Sequence, residues 1–407
     1  MKVVIFTLGC KVNKCESDAI FEKLVSLGYE VSDKLEYADI YILNTCAVTN
    51  EAERKSRQAV ARVRKLNPNA EIFVMGCASE SNSEQFLKLE NVKGVYGCQN
   101  KFDVLENFEN QKNNSKSQKS AEVRQYVKIQ DGCNNFCSYC LIPYLRGRSV
   151  SRSVEDIVEE IKNIKEAKEI VLTGIDMSDF KIDGKKALGT LIEKLSFFEG
   201  RIRIGSLEVG VVNQEFVSKI KKVKNLCPHF HLSLQSGCDS VLKRMNRHYT
   251  TSDYESAVNL LRQNFENCSI TTDIIVGFPQ ESDQEFALCY DFAKKIGFSD
   301  IHIFPYSQRK GTVALRFGGF VDGDIVLKRV EKLTNLKKEL QQNFLSSNYG
   351  KAHNLLIEKV ENNIAYGYTE NYIYCKTDKE CKVGDIIFGT LDKNSGFFVP
   401  LNQKEDK

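Results

Sequence analysis

Three cysteines stand close together in DGCNNFCSYC: Cys133, Cys137 and Cys140, spaced C-x3-C-x2-C. Thiolates are soft ligands that suit iron–sulfur clusters. Three of them on a four-iron cluster leave one iron without a protein ligand. Such an iron can chelate a substrate that needs an electron, as an open catalytic zinc accepts its water. A zinc knuckle is the competing reading, but it lacks a fourth ligand, the nearest histidine being His229. Tyr139, between the last two cysteines, is placed either to pack on a flat ligand such as an adenine or to fill a core.

A second set is dispersed. Cys10 closes the apolar run VVIFTLG, Cys46 closes ADIYILNT and Cys77 closes EIFVMG, at separations of 36 and 31 residues. Each interval is about one strand–helix–strand unit. In a parallel sheet all three would lie on loops at one edge, where open α/β sheets bind ligands. One thiolate cluster and three separate buried thiols both satisfy this pattern. Cys98, after VKGVYG, falls on a similar edge as a candidate fourth member. Cys15, Cys227, Cys238, Cys268, Cys289, Cys375 and Cys381 show no ligand spacing, although Cys238 lies just beyond the strand-end motif LQSG.

The elements that must position these residues follow from periodicity. Residues 1–110 alternate strand and helix: VVIFTL, the helix ESDAIFEKLVSLG, ADIYILNT, the helix EAERKSRQAVARVRKL, EIFVMG and VKGVYG. That alternation predicts a flavodoxin-like parallel sheet. The polar stretch 111–122 reads as a linker. From 123 to 345 six further strands (QYVKIQ, EIVLTG, RIRIGSLEV, HFHLSLQ, SITTDIIVGF and DIHIFPY) alternate with helices, a partial (βα)6 barrel rather than the eight units of a closed one. Residues 346–407 change to short strands with turns between them, a small antiparallel β-barrel. The array Cys133–Cys140 follows the first barrel strand, on the face where such barrels carry their chemistry.

Composition excludes several classes. Fourteen cysteines in 407 residues are too many to ignore, but so large a chain needs no disulfide scaffold. Charge is balanced, 57 Lys and Arg against 54 Asp and Glu. Local patches, not net charge, must therefore decide on nucleic acid. No apolar run approaches the roughly 18 residues of a membrane span, and MKVVIFTLGC lacks the features of a signal peptide. A cytoplasmic, monomeric protein is expected.

The array followed by IPYLRGRSVSR resembles the radical S-adenosylmethionine methylthiotransferases. TLGCKVN, NTCAVTNEAERKSRQ and VMGC resemble their N-terminal domain. VLTGID, HLSLQSG, RMNRHYT, TDIIVGFP and FPYSQRKGT match in the same order, and the tail NLLIEKV…GYTENYI resembles their RNA-binding barrel, the TRAM domain. Among the branches of the family, these segments are most similar to the one that modifies N6-threonylcarbamoyladenosine beside the anticodon of tRNA. Other branches modify isopentenyladenosine in tRNA or a ribosomal-protein aspartate. A non-enzymatic iron–sulfur protein that binds RNA is the alternative of another class.

The resemblance implies two [4Fe-4S] clusters, one on Cys133, Cys137 and Cys140 and an auxiliary one on Cys10, Cys46 and Cys77. It also implies S-adenosylmethionine as radical source and methyl donor, methylthiolation at C2 of the adenine, a tRNA anticodon stem-loop as substrate, and an electron donor such as flavodoxin or ferredoxin. Strand-end residues are the candidate cofactor contacts: Thr173, Gly174, Glu208, Gln235, Ser236 and Asp273. Arg146, with Arg148 and Arg152, suits the methionine carboxylate, RNA phosphate or the threonyl carboxylate. The helix after Cys46 carries Arg54, Lys55, Arg57, Arg62, Arg64 and Lys65, and Tyr366, Tyr368, Tyr372 and Tyr374 suit base stacking or barrel packing. Departures from the family pattern are Cys15, Cys238, Val209 in place of proline and Gln280 in place of glycine.

Overall fold

The computed structural model describes residues 1–109 and 122–401. Apart from Glu122, the expected linker lies outside them. The chain forms two units. The first comprises Met1–Ala121, Asp131–Val150 and Ser307–Leu315, and the second Glu122–Gln130, Ser151–Tyr306 and Arg316–Lys407. The loop bearing Cys133, Cys137 and Cys140 therefore packs as part of the N-terminal unit. Its Leu145 is buried in the core of that sheet, with Leu141 and Ile142 against it.

In the first unit β1 (Lys2–Thr7), α1 (Lys11–Ser26), β2 (Glu30–Ser32), β3 (Ile40–Thr45), α2 (Asn50–Leu66), β4 (Glu71–Gly76) and β5 (Val92–Tyr96) follow one another. The strands form one parallel sheet in the order β2-β1-β3-β4-β5, the flavodoxin-like order expected. Strand β2 was not legible, because three residues are too few to show a period. β3 is buried along its whole length, as a central parallel strand covered on both faces must be. α2 starts where the Thr49 hydroxyl accepts the Ala52 N–H, with Glu51 and Glu53 in its first turn and Arg64 and Lys65 in its last, each sign matched to the helix dipole.

The second unit carries the six expected parallel strands: Arg124–Lys128, Glu169–Thr173, Arg201–Ile204 continued by Ser206–Leu207, His229–Leu232, Ser269–Val276 and Asp300–Pro305. The third is interrupted at Gly205, so its first part pairs with the second strand and its last two residues with the fourth. A Cβ at Gly205 would lie 2.8 Å from the Leu172 carbonyl, which only glycine allows. Ile170, Leu172, Ile202, Ile204, Phe230, Leu232, Ile270 and Ile274 share one core with the surrounding helices. Strand alternation then turns Glu169, Thr173, Arg201, Arg203, His229, His231, Thr271, Asp273 and His302 to the opposite face. Capping boxes at Thr250–Asp253 and Ser282–Glu285 start two of the helices.

The tail is a five-stranded antiparallel sheet. Its central strand Ala352–Glu361 is flanked by Ile364–Thr369 and Tyr374–Thr377 on one side and by Ile386–Leu391 and Phe398–Pro400 on the other. It is anchored through Glu169, a fully buried carboxylate that pairs with Arg124 at 2.7 Å, Arg201 at 2.7 Å and Arg203 at 2.8 Å. Arg201 and Arg203 give further N–H groups to the carbonyls of Asn354, Tyr368, Thr369 and Glu370 in the tail sheet. Burial alone would raise the Glu169 pKa. The guanidiniums, Arg203 foremost, outweigh it and hold it down to about 2.

A depressed carboxylate stabilises the fold above its unfolded pKa and loses that contribution as pH falls through its folded value. Wild type should thus lose stability between about pH 4.5 and about pH 2 through this group. Glu169→Gln leaves the buried Arg201 and Arg203 without their anion, while Arg124 keeps Glu358. It should cost about 3–5 kcal/mol at pH 7 in urea unfolding and flatten that acid limb.

Candidate metal centres

The four strand-end cysteines of the first unit do reach one edge. Cys10 precedes α1, Cys46 follows β3, Cys77 opens a short helix after β4 and Cys98 follows β5. Gly9 has φ +100°, and a Cβ on it would lie 2.7 Å from Cys46 Cβ and 3.0 Å from Cys46 Sγ. Only glycine lets the first two cysteine loops approach this closely. Asn13 binds the loops together, its Nδ2 donating to the carbonyls of Leu8 (2.8 Å) and Thr45 (2.9 Å). Its Oδ1 lies 3.6 Å from Cys10 Sγ. Gly9 packs the Cys10 loop against Cys46, and Arg146 joins Asn13 to the Cys77 sulfur. Burial pushes the Cys46 thiol up to about 11.

Arg146 sits among them. Its guanidinium donates to Asn13 Oδ1 at 2.6 Å, to Glu16 at 2.8 Å, to Asp131 at 3.1 Å and, through Nε, to Cys77 Sγ at 3.3 Å. Glu16 is buried and also takes the Lys101 ammonium at 2.6 Å. The expectation that Arg146 meets a cofactor carboxylate or an RNA phosphate is therefore corrected. The side chain is buried and its donors are taken up by protein acceptors, which bind the loop of Cys133–Cys140 to the edge that carries Cys77. Cys98 Sγ lies 3.7 Å from Cys77 Sγ. The Cys98 thiol and the Arg146 guanidinium together hold Cys77 down to about 6, while Cys98, as donor, is pushed up.

The array itself is shaped for sulfur ligation. The Asn135 N–H points at Cys133 Sγ and the Ile142 N–H at Cys140 Sγ, both at 3.4 Å. Backbone N–H groups aimed at sulfur stabilise thiolates and tune bound clusters. Gly132 has φ +70°, and a Cβ there would collide with the Arg148 carbonyl. Phe136 is also left-handed, with φ 46°, and is clasped by the Arg148 guanidinium at 4.4 Å. Cys137 is buried, and Tyr139 and Cys140 are half-buried. Soft donors, amide support and backbone room are what a [4Fe-4S] cluster requires, so these residues fit that group.

In the second unit the strand-end candidates divide. Thr173 and Gly174 end the second strand, and a Cβ on Gly174 would come within 3.0 Å of Gln130 Oε1. Glu208 is held by Arg247. Gln235 takes a left-handed φ of 67°, and its backbone pairs with Asp273 and Ile275. Ser236 is fully buried, with its hydroxyl accepting the Cys238 N–H, so its side chain faces the protein and not a cofactor. Cys238 is likewise buried against Ser240. Asp273 accepts from His231 Nε2 and His302 Nδ1, each at 3.2 Å. Burial would raise its carboxyl, but the two imidazoles lower it strongly. Both histidines were overlooked, although the alternation in HFHL and DIHIF puts them on the same face as Asp273.

Asp176, in the quoted motif VLTGID, was also passed over. Burial first, then Glu208 and Asp179, raise its carboxyl to about 6.

The expected basic surfaces are partly neutralised. Arg54 pairs with Glu51, Arg57 with Glu53 and Arg64 with Glu90, and Arg152 pairs with Glu160. Of the four tyrosines, Tyr372 is stacked on His229 at 4.5 Å and on Tyr368 at 4.6 Å, with Arg203 over its ring. Tyr374 is the one that is mostly exposed. Gln280, in place of a glycine, keeps a left-handed φ of 64° and offsets the strain by bonding to the Gly319 and Phe317 carbonyls.

Residues 127–293 match the Radical SAM superfamily, and residues 2–97 match Uncharacterized protein family UPF0004. The chain is 37% identical to the threonylcarbamoyladenosine tRNA methylthiotransferase MtaB of Chlamydia pneumoniae, over 98% of this chain and 95% of that protein. It is 34% identical to the tRNA-2-methylthio-N(6)-dimethylallyladenosine synthase of Thermodesulfovibrio yellowstonii, over 95% and 94%. The radical S-adenosylmethionine methyltransferase TsrM of Kitasatospora setae shares the fold at 13% identity, with a TM-score of 0.53 over 74% of this chain and 72% of that one. The chain belongs to the radical S-adenosylmethionine methylthiotransferases. It is a transferase, and among the described residues no helix is long and apolar enough to cross a membrane.

The raised Asp176 carboxyl has the opposite sign to Glu169. A raised acid costs stability as pH climbs from its ordinary value of 3.8 towards 6. Asp176→Asn should gain about 2–3 kcal/mol at pH 8 and almost nothing near pH 3.5, as thermal unfolding at the two pH values would show.

Proposed function

We propose that this enzyme methylthiolates C2 of N6-threonylcarbamoyladenosine next to the anticodon of tRNA. One observation carries the reading. Both cysteine triads belong to one unit, and Arg146 joins the loop of one to the edge of the other. Cys133, Cys137 and Cys140 would hold one [4Fe-4S] cluster, and Cys10, Cys46 and Cys77 the auxiliary one. When bound, these clusters supply the electron for reductive cleavage of S-adenosylmethionine and the site of the sulfur to be inserted.

The chain's own residues orient and exclude. Asn13, Gly9 and Arg146 hold the cysteine loops at a fixed separation. Asn135 and Ile142 direct their amides to the ligating sulfurs. Thr173, Gly174, Glu208, Gln235 and Asp273 stay the candidates for S-adenosylmethionine, with Tyr139 for its adenine. The division 1–110, 123–345 and 346–407 then reads as sulfur-holding, radical-forming and RNA-binding parts, with Tyr374 the exposed ring of the last. A flavodoxin or ferredoxin as electron donor, a monomeric state and a cytoplasmic place complete the proposal.

The threonylcarbamoyl substrate is favoured by the motifs TLGCKVN, NTCAVTNEAERKSRQ and GYTENYI and by the name of the Chlamydia relative. The Thermodesulfovibrio relative favours a dimethylallyladenosine substrate as the second reading. Nucleoside mass spectrometry of tRNA from a strain lacking this gene separates them. Loss of the methylthio group from threonylcarbamoyladenosine alone is expected, and its loss from isopentenyladenosine instead would overturn the assignment. Reconstituted iron should fall by about half in Cys46→Ala and likewise in Cys137→Ala, as two separate four-iron sites require.

A further inference from the structure

Cys98 takes no part in the function proposed above, yet its position is closely defined. β4 and β5 are neighbours in the parallel sheet, so the residues that follow them emerge side by side. Cys77 opens the helix after β4. Glu80, in that same helix, accepts the Cys98 N–H at 2.8 Å, which fixes the loop after β5 against it. The two sulfurs are brought to 3.7 Å. On the far side of Cys77 the Arg146 Nε–H donates to the sulfur at 3.3 Å. Two sulfurs held 3.7 Å apart by the loops that carry them are placed as an oxidisable cysteine and its resolving partner.

We propose that Cys77 and Cys98 are a redox pair, which hydrogen peroxide closes to a disulfide when the second triad carries no cluster. The Cys77 thiolate attacks one peroxide oxygen. The O–O bond breaks, Cys77 becomes a sulfenic acid, and the departing hydroxide takes a proton to become water. The Cys98 sulfur then attacks the sulfenic sulfur. The S–O bond breaks, the sulfur–sulfur bond forms, and a second water leaves with the thiol proton. Two thiols give up two electrons and two protons, and one peroxide accepts them as two waters. Cys77 and Cys98 are only 3% and 4% exposed, so the oxidant must be water-sized. A bulky disulfide such as glutathione disulfide does not reach them.

The consequence rests on the reading of Cys77 as an auxiliary-cluster ligand. Closure withdraws that ligand reversibly and spares it from oxidation to the sulfinic acid, which thiols do not reverse. Reloading the second site then requires a reductant as well as iron and sulfide.

The test uses the full-length chain with Cys133, Cys137 and Cys140 replaced by alanine, stripped of iron and treated with one equivalent of hydrogen peroxide. Remaining thiols are blocked with N-ethylmaleimide, and the protein is digested without reductant for mass spectrometry. The expected product is a peptide joining Cys77 to Cys98, released by dithiothreitol. Oxidised protein should take up no iron on anaerobic reconstitution until dithiothreitol is added. In Cys98→Ser, treatment with two equivalents of hydrogen peroxide should add two oxygens to Cys77. A Cys77 that stays a free thiol, or that pairs with Cys10 or Cys46, overturns the proposal. Iron uptake by Cys77→Ala tests the ligand reading separately: unchanged uptake with the crosslink present removes Cys77 from the cluster but leaves the redox pair standing.

Discussion

Everything chemical in this protein depends on one constraint of parallel sheets: each strand delivers the loop that follows it to the same edge. Antiparallel strands would send alternate loops to opposite ends. Here β1, β3, β4 and β5 bring Cys10, Cys46, Cys77 and Cys98 to one edge from positions spread across the first hundred residues. The same rule groups Thr173, Glu208 and Gln235 in the second unit. The wide spacing of the cysteines in the chain is the length of a strand–helix–strand unit and not a sign of independence.

Two buried arginine–carboxylate systems stand behind these edges. Arg146 with Glu16 binds the short cysteine array to the dispersed one, and Glu169 with Arg124, Arg201 and Arg203 binds the tail sheet to the barrel strands. Taking such charges out of water offsets most of their attraction, so neither is chiefly a source of stability. Their geometric demand is the useful property. A guanidinium whose N–H groups must each find an acceptor tolerates one placement of the surrounding loops. In the first unit that placement fixes the sulfur of Cys77 between Arg146 and Cys98.

The fold was largely legible. The six strands of the second unit, four of the five in the first and the antiparallel tail were readable from their hydrophobic pattern and from the helices or turns that separate them. β2 was not, with three residues. That Cys10, Cys46 and Cys77 would reach one edge was legible because position relative to strand ends is a sequence property. Arg146 was misread: its neighbours in the chain, Arg148 and Arg152, suggest a solvent-facing basic loop, and nothing local shows that Glu16 and Asn13, some 130 residues earlier, close around it. Ser236 was misread for a similar reason, since a strand-end hydroxyl can turn to either side. His231 and His302 could have been found by strand alternation, but their meeting at Asp273 needs the register of three strands.

The sequence by itself determined which residues could be ligands, how many strands would carry them and which family the chain joins. Those properties are local: residue type, spacing and hydrophobic period. Tertiary structure alone decided which partners each charged or polar side chain would choose. It made Arg146 the link between two cysteine triads, stacked Tyr372 on His229 and Tyr368, and set Cys98 against Cys77. Such choices follow from burial and register, where a polar group must be satisfied by whatever the fold brings within about 3 Å, and the chain does not encode that neighbour nearby.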